Sequence, residues 1–262
     1  MKLLTQGDDF GFTKGVVYGV IDAIDNGILR NTGLFVNMPA AEYAADYIRQ
    51  KDGVCFGIDF NIVAGPCVSD PKDIPDLVDE DGNYIRSSVR VKDPLWESEE
   101  GRRRMFPYDQ TYRELRAQFA RFIEMTGKRP GYLHAHSLAH ENYIEAIRKI
   151  SEEEGIPYSG DIYEKHDFAT NMFDAHKTSK VFDPIRQLEA DKVSLILSHA
   201  QEFMAHEYCA ILGHPAYVDS ELLKWTSLSL ERMKDFEMFT DERMLSWVKD
   251  NDIELITYHD LC

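Results

Sequence analysis

The sequence predicts an α/β fold on a parallel sheet. Three observations carry this: short apolar runs alternate with longer segments of helical period, the alternation repeats about seven times, and several runs are continuously apolar. Continuous runs suit parallel strands buried on both faces, and strand–helix alternation joins such strands by right-handed crossovers. A closed or nearly closed barrel fits, with an open doubly wound sheet as the competitor. At 262 residues, with no linker and no internal repeat, one domain over residues 1–262 is expected.

Taken in order, the apolar runs place strands at Lys2–Thr5, Gly33–Asn37, Val54–Ile62, Gly131–Ala135, Pro157–Gly160, Tyr208–Gly213 and Glu254–Tyr258. Helical spacing places helices at Lys14–Asn26, Ala40–Gln50, Tyr108–Thr126, Asn142–Glu154, Ala190–Ala205 and Asp241–Asn251. Thr240 and Asp241 supply an N-cap signal for the last helix, and Gly27, Gly127 and Gly155 stand where C-caps belong. Two stretches interrupt the alternation, Ala64–Pro107 and Asp161–Glu189. Long irregular segments inside such a domain usually serve as lids or binding loops.

A net charge of −17 argues against nucleic acid or an anionic membrane as partner, because both would be repelled. No apolar run approaches the roughly 18–20 residues of a spanning helix, and acids at Asp8 and Asp9 come too early for a signal peptide. Cys55, Cys67, Cys209 and Cys262 lack CxxC spacing, so reduced thiols in a cytoplasm are the plain reading. Arg102–Arg104 follows Glu97, Glu99 and Glu100 and reads as a solvated loop or helix start.

Ligands of parallel α/β folds sit at the carboxyl ends of the strands. There the chain carries Asp8-Asp9, then Asp59 with Asn61, then His134, His136 and His140, then His214, then Tyr258-His259-Asp260. Adjacent carboxylates raise one another's pKa unless a cation compensates, and a divalent metal would leave one Asp as ligand and its neighbour as general base. The competing reading of Asp8-Asp9 is a turn with a helix N-cap. His136 and His140 would share one face if Ser137 began a helical turn; otherwise they are loop histidines. His214, fixed before Pro215, suits a general acid, against a buried histidine satisfied by carbonyls. The histidines at 166, 176, 199, 206 and 259 have no comparable surroundings.

Gly7-Asp8-Asp9-Phe10-Gly11-Phe12 resembles the Ala-Asp-Asp-Phe-Gly-Leu opening of the YdjC-like carbohydrate deacetylases, relatives of the chitooligosaccharide deacetylases. The likeness continues through Asn26–Leu29, Val36–Ala40, Gly57–Asn61, Leu77–Gly82, Arg129–His136, His140, Gly213–Ala216 and Thr257–Leu261, in order along nearly the whole chain. The resemblance implies a distorted (β/α) barrel that removes N-acetyl groups from N-acetylglucosamine-containing oligosaccharides with one divalent metal. By position, it implies Asp8 as general base, Asp9, Asp59 and His136 as metal ligands, and His214 as acid or substrate contact. His134, His140, Asn61 and Tyr258 would touch substrate or support the ligands.

The chain departs from the family pattern twice. Asp59 stands where the family has His, and His134 where it has Asp. A reciprocal exchange between neighbouring strands would leave His134 as a partner of Asp59, and the added carboxylate favours Mg²⁺ or Mn²⁺ while Zn²⁺ also accepts Asp. The expected partner is a small carbohydrate, with Trp96 and tyrosines of Ala64–Pro107 as stacking groups and a homodimer as the candidate assembly. Two other readings use the same residues: a sugar-binding barrel that has lost the chemistry, and a metal-dependent sugar-phosphate hydrolase or isomerase.

Overall fold

In the computed structural model, which describes residues 1–171 and 183–261, the strands are β1 (Lys2–Phe10), β2 (Asn31–Leu34), β3 (Cys55–Phe60), β4 (Leu133–Ala135), β5 (Ala169–Thr170), β6 (Tyr208–Gly213) and β7 (Glu254–Ile256). His176, Cys262 and residues 172–182 of the irregular segment Asp161–Glu189 lie outside the described residues. All pairings between these strands are parallel, in the order β4-β3-β2-β1-β6-β5, with β7 also on β1. The expected parallel α/β domain is therefore present. Among the described residues the ring is not closed: β4 and β5 end the path of paired strands, and the sheet forms a half-barrel.

β1 forks. Its first residues pair with β7 (Lys2↔Glu254, Leu4↔Ile256), while Gln6 onward pairs with β2, and β6 runs along the other edge. Asn31 fills the fork: its amide donates to the carbonyls of Thr5 and Ile256, and its oxygen accepts the N–H of Tyr258. A buried asparagine satisfies the backbone groups left where the ladder divides.

The expected strand at Pro157–Gly160 is a single bridge, Leu133↔Tyr158, followed by the helix Ser159–His166. The expected helix Ala190–Ala205 is broken at His199 into Lys192–Ser198 and Ala200–Met204. Asp241 does cap the last helix by accepting from Arg243 N, and Gly127 and Gly155 end theirs in the left-handed conformation. Gly27, by contrast, follows a C-cap at Asn26 in the right-handed region. Arg102–Arg104 lies in the helix Glu99–Met105, where Arg102 pairs with Glu141 and Arg103 with Glu145.

Strand alternation layers the concave side. Leu4, Gln6 and Asp8 follow one another at steps of two on β1, as do Cys55, Gly57 and Asp59 on β3, Tyr132 and His134 at β4, and Ala210, Leu212 and His214 at β6. Leu4, Cys55, Tyr132, Ala210, Ile256 and Tyr258 pack into one apolar cluster at the N-terminal end. The polar members of each series stand at the carboxyl ends, above that floor.

Candidate metal centre and cavity

A cavity of about 850 Å³ opens at the carboxyl ends of the strands, lined among others by Asp8, Asp9, His134, His136, His214 and Arg232. Plain strand alternation would send Asp8 and Asp9 to opposite faces. The β1–β2 register shifts between Gly7 and Phe10, and Asp9 takes a left-handed conformation (φ 68°). This irregularity turns both carboxylates toward the cavity. It also frees the N–H of Asp9, which donates to Asp59 Oδ2 at 2.8 Å.

Asp59 is fully buried, and its other oxygen, Oδ1, has no hydrogen-bond partner among the described residues. Its side chain crosses Gly33 of β2, where a Cβ would stand 1.7 Å from Oδ1, so only glycine leaves the room. Burial, then the charges of Asp8 and Asp9, push Asp59 well above the usual carboxylate range; the Asp9 N–H offsets this only in part. A cation beside Oδ1 would remove that cost.

His134 is the register partner of Asp59 across β3 and β4. One donor atom each from Asp8, Asp59 and His134 lie within 4.8 Å of one another, the spacing of a group able to hold a metal ion. His134 Nδ1 lies 2.7 Å from Ser159 Oγ, and Nε2 faces Asp8 Oδ2 at 3.7 Å. The tautomer that donates from Nδ1 to Ser159 leaves Nε2 as a lone pair. Burial, opposed by Asp8, lowers the His134 pKa and favours the neutral, ligating ring. The donor set and the unpartnered Asp59 oxygen fit a divalent cation.

The structure distributes the expected ligands differently from the sequence reading. Asp9 and His136 are paired with each other instead, Nδ1 to Oδ1 at 2.9 Å, and Asp9 Oδ2 accepts from Arg232 Nη2 at 2.6 Å. Burial alone would raise Asp9, but His136 and Arg232 hold its carboxyl well below the usual range. Of Asp9, Asp59 and His136, only Asp59 stands in the gathered set. Asp8, expected as base, and His134, expected as a supporting partner, complete it. No hydrogen bond joins Asp59 to His134 among the described residues; they meet through the shared position instead.

His214 reaches the cavity with 34% of its side chain exposed, Nε2 being 3.9 Å from Asp8 Oδ2 and Nδ1 3.7 Å from Asp235 Oδ2. Asp235 also accepts the His214 N–H and pairs with Lys192, which pairs with Glu231. Burial opposes the imidazolium, yet Asp235 and Asp9 outweigh it and raise the His214 pKa. Burial would raise Asp235 as well, but His214 and Lys192 bring it down to about 2.

Three expected contacts turn away from the cavity. Ser137, two residues beyond β4, is left-handed (φ 63°), so no helical turn unites His136 with His140. His140 packs instead on Phe106, ring centroids 4.1 Å apart, with neither ring nitrogen hydrogen-bonded among the described residues. Asn61 organises the loop after β3: its Oδ1 accepts from the N–H groups of Val63 and Ala64. Trp96 lies against Arg102 and His140, whereas Trp225 lines the cavity, with the Arg86 guanidinium 5.6 Å from its ring. Tyr258 supports the site from below through Gln6.

Burial pulls the His140 pKa down to about 4. The unfolded chain then binds more protons than the folded one between about pH 6.5 and 4, so stability is full above 6.5 and is lost as pH falls through that window. The loss from this ring is roughly 3 kcal/mol. Urea titrations at pH 7 and pH 4 should show His140→Phe losing less stability than the parent; equal losses would remove His140 from the account of acid sensitivity.

Sequence reasoning missed Arg232, Asp235, Lys192, Gln6 and Ser159. Arg232 and Asp235 share the buried face of the helix Glu231–Thr240 with Met238 and Phe239, a stripe whose charged members disguise it as surface.

The YdjC-like protein family model matches residues 2–250. Carbohydrate deacetylase 2 of Listeria innocua is 31% identical over 266 residues, covering 100% of this chain and 99% of that protein. The carbohydrate deacetylase of Geobacillus stearothermophilus is 27% identical over 259 residues, with 98% and 96% covered. Among solved structures, a proposed cellobiose-phosphate cleavage protein of Enterococcus faecalis V583 superposes with a TM-score of 0.78 at 18% identity, covering 100% of this chain and 98% of that one, which bears on fold alone. No helix among the described residues is long and apolar enough to cross a membrane.

Proposed function

The chain belongs to the YdjC-like family, and on that premise we propose that it is a metal-dependent carbohydrate deacetylase removing N-acetyl groups from N-acetylglucosamine-containing oligosaccharides. The observation that carries the metal dependence is the convergence of Asp8, Asp59 and His134, which offer one donor atom each within 4.8 Å of one another. Two carboxylates and one imidazole favour Mg²⁺ or Mn²⁺, with Zn²⁺ also accepted. When bound there, the ion supplies Lewis acidity toward the amide carbonyl.

The protein's own groups move the protons. With Asp8 among the ligands, the base is His136: the Asp9 carboxylate beside Nδ1 favours the proton on that nitrogen and leaves the other to accept one from water. Arg232 keeps Asp9 ionised and fixed in this role. His214, whose protonated form Asp235 favours, is placed to deliver a proton to the leaving amine. Trp225 and Leu223 offer the cavity wall an apolar surface for a sugar ring.

Acetate release from N-acetylated chito-oligosaccharides tests the reading. Chelator-treated protein should be inactive and recover on adding Mn²⁺ or Mg²⁺. Sugar binding without acetate release under every metal would instead favour the barrel that has lost its chemistry.

A further inference from the structure

Gln6 is fully buried on β1, two residues before Asp8 and on the same face of the strand. Its Nε2 donates to Asp8 Oδ1 at 2.6 Å and lies 3.5 Å from His134 Nδ1. Its Oε1 lies against two phenols, Tyr163 at 2.8 Å and Tyr258, whose hydroxyls are 2.5 Å apart, so that two hydroxyl protons are shared among the three oxygens. A carboxamide is nearly symmetric in shape and can be turned end for end. Here the turned form is excluded, because it would set the amide oxygen against the Asp8 carboxylate, acceptor against acceptor. The Asp8 carboxylate thus fixes which end of Gln6 meets it, and the two phenols hold the opposite end in place.

We infer that Gln6, locked by Tyr163 and Tyr258, is a positioning residue of the cation site: it occupies Asp8 Oδ1 and thereby aims Asp8 Oδ2 at the position shared with Asp59 and His134. The inference rests on the reading that the cation binds at those three residues. The geometry agrees, since it is Oδ2, not Oδ1, that faces His134 Nε2 and His214 Nε2. The tyrosines come from two distant segments, the helix Ser159–His166 and the residues after β7. Both segments therefore bear on the metal centre without lending it a ligand.

The test measures Mn²⁺ binding to metal-free protein by calorimetry and by the electron paramagnetic resonance spectrum of the bound ion, so it does not depend on turnover. Gln6→Leu should fold and weaken Mn²⁺ binding by roughly 10–100-fold, the range for partners that orient a ligand. Tyr163→Phe with Tyr258→Phe, which keeps Gln6 but removes the hold on its carboxamide oxygen, should weaken binding less and broaden the spectrum. If either variant fails to fold, the other decides. Asp59→Asn separates the two levels of the argument. Wild-type affinity and spectrum in the Gln6 or tyrosine variants, with binding lost in Asp59→Asn, would overturn the positioning role and leave the site standing. Wild-type binding in Asp59→Asn would overturn the site and the inference together.

Discussion

His134→Ala should abolish divalent-metal binding, and His136→Ala should leave it within a few-fold of the parent. His134 offers the donor atom that stands with those of Asp8 and Asp59, and removing a direct ligand should cost more than the roughly 10–100-fold lost with an outer partner. His136 is committed to Asp9 instead, so its loss should lower turnover by about 10²–10⁴-fold, as for a general base, at unchanged metal content. Because Asp59 and His134 are register partners, exchanging both (Asp59→His with His134→Asp) should retain more metal affinity than either change alone. Titration with Mn²⁺, paired with acetate-release rates, reads all of these. Loss of the ion in His136→Ala with retention in His134→Ala would restore the ligand set Asp9, Asp59 and His136.

The second large effect concerns folding. Arg232 and Asp9 form an ion pair whose side chains are 2% and 0% exposed. Removing one partner strands the other charge, and Arg232→Met should destabilise the protein by about 3–5 kcal/mol. Arg232 Nε also holds the carbonyl of Leu228, so the 223–230 wall of the cavity should loosen in the same variant. Adding Asp9→Asn should recover part of the loss, because the stranded charge is then gone. Urea unfolding of the two single variants and the double variant measures the coupling. Additive losses would mean that the pair contributes nothing beyond its separate members.

The strand ends were legible because the fold forces them to be. β1, β3 and most of β6 are buried on both faces, and the polar residues that follow their apolar runs mark the mouth of the half-barrel. The same logic puts Asp8, Asp9, Asp59, His134, His136 and His214 at strand ends. It could not assign partners, because the assignment turns on one residue: the left-handed Asp9 upsets strand alternation and brings two neighbouring carboxylates to one side. The distorted barrel is present as a half-barrel whose edge strands leave the weakest signal. Pro157–Gly160 has a strand's composition but gives one bridge, and the two-residue β5 is too short to leave a periodic signal. The helix Glu231–Thr240 stayed hidden because an arginine and an aspartate lie on its buried face, where each has a partner that only the folded chain provides.

The most direct measurement is an anomalous difference map from crystals of the protein grown with Mn²⁺. One strong peak is expected, bounded by Asp8, Asp59 and His134, with oxygen and nitrogen ligands at roughly 2.0–2.3 Å. Asp9 should still be paired with Arg232 in that map. A peak seated between Asp9 and His136, or an ordered site holding only water at saturating Mn²⁺, would contradict this assignment.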